Sequence, residues 1–169
     1  MFFCLDNLIS TKILEEKLYL IPRPKFLKVL SNTNFKVSEK TIITTDISRD
    51  YEFIFTNLSD HLLRNNYSTK LDVNFTSTNF ENHDFEIFIS EFKNNFPNIN
   101  LGAILKDKNT INEGYALIIK SNRIMVHAEK LQGLFYGLQT LVQILNCSAS
   151  KNATQELIIL DFPPLQIRG

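Results

Sequence analysis

A two-strand hairpin followed at once by a long apolar helix constrains this chain more than any other stretch. Residues 115–120 and 123–128 are short apolar, β-branched runs joined by Ser121-Asn122, a link whose length and asparagine suit a tight antiparallel reversal. Residues 131–145 then place Leu131, Leu134, Phe135, Leu138, Leu141, Val142 and Leu145 at i, i+3, i+4 and i+7. That spacing gives an amphipathic helix with one face against a sheet.

Two glycines interrupt this helix. Gly133 and Gly137 sit four apart in its interior, each costing about 1 kcal/mol in propensity against alanine. Their side of the helix is expected to meet something at close range. Tyr136 lies beside them, away from the leucine face, and joins them as a candidate packing face: Gly133, Tyr136 and Gly137.

The rest of the chain bounds the architecture. A chain of 169 residues that is 44% hydrophobic supports one well-buried core rather than two domains. Residues 8–20 read as a short helix or irregular lead ending at Ile21-Pro22-Arg23-Pro24, where the prolines enforce an extended path. Strands are predicted at 26–30, 35–37 and 41–45, separated by Ser-Asn-Thr-Asn and Ser-Glu-Lys turns, as an antiparallel opening. Ser48 is a candidate N-cap for a helix over about 49–65, with Tyr51, Phe55, Leu58 and Leu62 on one face. Residues 71–75 alternate as a strand. Residues 76–98 fit both periods, and Phe85, Phe88, Ile89 and Phe92 favour a helix. The run 99–105 is expected as a central strand and 156–160 as a closing one. The fold class is therefore α+β: a mixed, largely antiparallel sheet with two or three helices packed on one face.

Charge and composition exclude several function classes. Lys plus Arg equals Asp plus Glu at 18 each, without the net basic surface that nucleic acid or an anionic membrane requires. No nucleic-acid or membrane partner is expected. The apolar start Met1-Phe-Phe-Cys-Leu is broken by Asp6, Lys12, Glu15 and Glu16 before a signal-peptide core or spanning helix can form. Cys4 and Cys147 fit no metal or redox spacing and read as reduced thiols.

Motifs that carry chemistry are missing. His61, His83 and His127 form no H-E-x-x-H, and with five glycines the chain contains neither phosphate-loop nor nucleophile-elbow patterns. His127 alternates with Val126 and Ala128, as a structural strand histidine does, and His61 falls at the edge of its helix's apolar face. The acidic residues are scattered, and spacing alone nominates no pair of carboxylates converging on one bond. No catalytic residue, cofactor-binding residue or metal ligand is nominated, and no cofactor is expected.

Several segments nonetheless occur in a telling order. They are Pro22-Arg-Pro-Lys25, Asn112-Glu-Gly-Tyr-Ala-Leu-Ile-Ile119, Ile124-Met-Val-His-Ala128, the helix Gly133-Leu-Phe-Tyr-Gly-Leu-Gln-Thr-Leu-Val-Gln-Ile-Leu145, and Asp161-x-Pro163 with Arg168-Gly169. This order resembles the N-terminal, non-catalytic domain of β-N-acetylhexosaminidases of glycoside hydrolase family 20. The resemblance is dense over 111–169 and thin over 21–45, and no motif carries it over 46–110. It implies a zincin-like domain, without metal chemistry, that packs on a (β/α)₈ barrel. In that family the barrel's Asp-Glu pair acts on an N-acetyl sugar whose acetamido group is the nucleophile; this chain has no Asp-Glu dipeptide. Leu165 and Ile167 stand where the family favours aromatics, and Pro164 where it often has arginine. The leading domain of family 84, which includes O-GlcNAc hydrolases and hyaluronidase-like enzymes, is similar at the same junction.

The resemblance divides the chain into a lead (1–20), a single α+β domain (21–161) and a junction (162–169) to a catalytic barrel that these residues do not include. It implies a non-catalytic scaffold whose partner is that barrel, with weak self-association through the exposed packing face. The alternatives are a family 84 leading domain and a free-standing glycan- or protein-binding module.

Overall fold

A computed structural model describes residues 18, 20–37, 41–45, 53–64, 85–91, 113–147 and 153–162. Its strands are β1 (Phe26–Lys36), β2 (Thr41–Thr45), β3 (Phe85–Glu91), β4 (Tyr115–Ile119), β5 (Arg123–Ala128) and β6 (Ala153–Asp161). Its helices are α1 (Phe53–Arg64) and α2 (Leu131–Cys147). The strands form one six-stranded sheet in the order β1-β6-β4-β5-β3-β2. Pairing is antiparallel from β1 through β6 and β4 to β5, and parallel from β5 through β3 to β2. The architecture is α+β, with a mixed, largely antiparallel sheet.

The β4–β5 hairpin forms as expected. Lys120 N–H donates to the Arg123 carbonyl at 2.8 Å and Arg123 N–H returns to Lys120 at 3.4 Å, closing the turn over Ser121-Asn122. Alternation then sorts side chains by face. Tyr115, Leu117, Ile119, Ile124, Val126, Ala128, Leu157 and Ile159 share one buried cluster with both helices. Ala116, Ile118, His127 and Leu160 lie in the intervening registers and are also buried. A strand with all five residues buried, as β4 has, belongs in the middle of a sheet.

Three strand expectations need correction. The strands predicted at 26–30 and 35–37 are one strand, β1. Register shifts between Val29 and Ser31 and between Ser31 and Asn34 absorb the polar Ser-Asn-Thr-Asn stretch, and β-bulges do this without ending a strand. The expected antiparallel opening does not occur, because β1 and β2 occupy opposite edges. Local alternation fixes a strand's pleat but not its neighbour: β1 pairs with β6, whereas β2, α1 and β3 follow one another as a parallel pair with its crossover helix. Residues 85–91, favoured as helix, are strand β3, hydrogen-bonded on both sides by β2 and β5. The strands expected at 71–75 and 99–105 lie outside the described residues, as do Ser48 and Tyr51.

Both helices cover the same sheet face. Ile54, Phe55, Leu58 and Leu62 of α1 join Leu134, Leu138, Leu141, Ile144 and Leu145 of α2 in the core. The core also takes Leu20, 6% exposed, and partly Leu18 from the segment read as a lead. The peptide between Ile21 and Pro22 is cis.

Candidate functional site

α2 lies across β4 and β5, and its glycines explain how closely. A Cβ on Gly133 would overlap the carbonyl oxygen of Gly114 and stand 2.8 Å from Ala128 Cβ. On Gly137 it would stand 2.7 Å from Val126 Cγ1 and 3.1 Å from the Tyr115 ring. The close approach expected of Gly133 and Gly137 therefore exists, but what approaches is the domain's own sheet. The assignment of these two glycines to a face packing on another domain is corrected: both are buried against β4 and β5. Hydrophobic spacing gives glycine no weight and so misplaced the buried side by part of a turn. Phe135, counted with the core leucines, is 36% exposed for the same reason.

Tyr136 is half-buried at the core margin, its ring edge-on to Phe135 at 5.9 Å between centroids. Gln132 Nε2 donates to Tyr136 Oη at 3.4 Å and to Glu113 Oε1 at 3.2 Å. Gln132, Phe135, Gln139, Gln143 and Asn146 continue the outer side of α2. No charged residue occurs anywhere in this 17-residue helix.

Tyr115 Oη and Thr140 Oγ1 share a buried hydrogen bond of 2.6 Å. Burial pushes the Tyr115 phenol well above its ordinary range, with the bond to Thr140 opposing and the Asp161 charge adding. Burial also pushes His127 down to about 4, so the imidazole is neutral near pH 7. His61, at the margin of α1, is lowered by burial and then by Arg64.

Two further clusters tie distant segments. Glu156 accepts from Ser31 Oγ at 2.7 Å and from the Ser121 N–H at 2.8 Å, joining the β1 bulge to the hairpin tip. The Ser31 hydroxyl, which also bonds Thr33, is the main reason that the Glu156 carboxyl is held below its usual range. At the other cluster, Gln143 grips one residue twice: Ile21 N–H donates to its Oε1 at 2.9 Å, and its Nε2 donates to the Ile21 carbonyl at 3.0 Å. Lys25 N–H donates to Asp161 Oδ1 at 3.2 Å, with Lys25 Nζ 5.9 Å from the centre of the Phe162 ring. Sequence reasoning missed both clusters: the bonds of Ser31 to Glu156, Ile21 to Gln143 and Lys25 to Asp161 each join residues more than 100 positions apart.

Among the described residues, no three His, Cys, Asp or Glu side chains converge as a metal site. No described helix is long and apolar enough to cross a membrane. Cys147 is an exposed thiol at the end of α2.

The family model described as glycosyl hydrolase family 20, domain 2, matches residues 17–162. Among solved structures, a chitobiase from Flavobacterium johnsoniae is similar at 24% identity and a TM-score of 0.59, over 92% of this chain and 22% of that one. An N-acetyl-β-hexosaminidase from Streptomyces plicatus is similar at 21% identity and a TM-score of 0.62, over 88% and 27%. The structure named CpGH84D is similar at 16% identity and a TM-score of 0.64, over 89% and 25%. This chain thus spans about a quarter of the length of the structures it matches. Among the curated proteins, none matches the sequence.

Proposed function

This chain belongs to the glycosyl hydrolase family 20, domain 2, family, and from that premise we propose that it is the non-catalytic leading domain of a larger β-N-acetylhexosaminidase-like glycosidase. The observation that carries the reading is the family match over 17–162, which takes in the whole described sheet and both helices. Its partner is a (β/α)₈ barrel following in the same polypeptide, acting on N-acetylglucosamine or N-acetylgalactosamine glycosides. In such barrels catalytic groups project from the C-terminal ends of the strands. Residues 21–161 are then the domain proper and 162–169 the junction.

The role of the domain is support. Because Gly133 and Gly137 are buried on the sheet, the docking face passes to Tyr136 and its outer neighbours Gln132, Phe135 and Gln139. The absence of charge on α2 favours this face, because interface cores are depleted of charged side chains and enriched in aromatics. Alone, this face would give weak self-association.

A family 84 parent is the second reading, favoured by the likeness to CpGH84D. The reading frame beyond Gly169 separates the two: an Asp-Glu pair in a following barrel marks family 20, an Asp-Asp pair family 84. The 169-residue chain is expected not to hydrolyse a chromogenic N-acetylglucosaminide, whereas the protein extended through the barrel should. Turnover that co-purifies with the short chain would overturn the non-catalytic reading. Saturable binding of N-acetylglucosamine oligomers to it would favour a binding module instead.

A further inference from the structure

We draw no further inference here: the strongest candidate, the apolar patch on the sheet face away from both helices, where Phe26, Leu160 and Ala116 stand in register beside Ile158 and Ile118, carries none because nothing in the structure shows what covers it.

Discussion

Gly133 is where helix propensity and packing disagree most, and alanine at this position tests the close approach of α2. Propensity alone favours Gly133→Ala by about 1 kcal/mol. Against this, the new Cβ would overlap the Gly114 carbonyl oxygen and stand 2.8 Å from Ala128 Cβ, where carbon pairs rest at about 3.5–4.0 Å. The obstructing atoms are a strand backbone and the first carbon of a side chain, and neither can rotate away. α2 must therefore lift by roughly 1 Å, which forfeits about a quarter to a half of the attraction in each contact it opens. Those contacts include the fully buried Leu134, Leu138 and Leu141. Overpacking costs about 1–3 kcal/mol, and the upper part of that range applies to a helix held along its length. The net expectation is a loss of about 1–2 kcal/mol, or a Tm lower by roughly 2–8 °C for a chain of this size. Gly137→Ala meets the Val126 methyl at 2.7 Å and the Tyr115 ring at 3.1 Å. These side chains can yield, so a smaller loss of about 0–1 kcal/mol is expected. Reversible urea unfolding followed by far-UV circular dichroism measures both. A midpoint for Gly133→Ala above that of the parent chain would refute the close approach.

Tyr115→Phe removes one partner of the buried bond to Thr140 and should cost about 1 kcal/mol; if its loss and that of Thr140→Val simply add in a double-mutant cycle, the two hydroxyls are not coupled. His127 is 8% exposed and held at about 4 against an ordinary 6.5, so below 6.5 the unfolded chain binds a proton that the folded chain refuses. Its contribution is complete above about pH 6.5 and is lost as pH falls towards 4, on the order of 3 kcal/mol in all; His127→Gln should flatten the slope of stability in that window, and an unchanged slope would mean that the imidazole charges freely when folded.

What was legible in the sequence was local. The β4–β5 hairpin and α2 each declare themselves through neighbouring residues: Ser121-Asn122 for the turn, leucines three and four apart for the helix. Pairing across the sheet has no such signature. β1 and β2 follow each other in sequence yet end at opposite edges, because β1 finds β6 while β2 crosses through α1 to β3. Residues 85–91 fit both periods, and the helix favoured by the spacing of Phe85, Phe88, Ile89 and Phe92 gives way to strand pairing with β2 and β5, one on each side. At the candidate site, Gly133 and Gly137 announced a close contact without saying with what. Nothing in the sequence joined Gln143 and Asp161 to their partners Ile21 and Lys25, which lie at the other end of the chain.

The polar contacts within the domain bear on where chemistry can occur. Gln143 holds Ile21, Asp161 holds Lys25, Glu156 holds Ser31 and Ser121, and Tyr115 pairs with Thr140. Each contact joins segments far apart in sequence, so these groups act as ties between elements. Their protonation states suit that work. Glycoside hydrolysis by a carboxylate pair needs one carboxyl raised enough to donate a proton near neutrality, whereas Glu156 is lowered by the hydroxyl and amide that it accepts from. A buried His127 at about 4 is neutral at that pH and has no proton to spare as an acid. Burial thus lowers His127 and raises Tyr115, while accepted hydrogen bonds lower Glu156. What α2 presents on its outer side is free of charged residues.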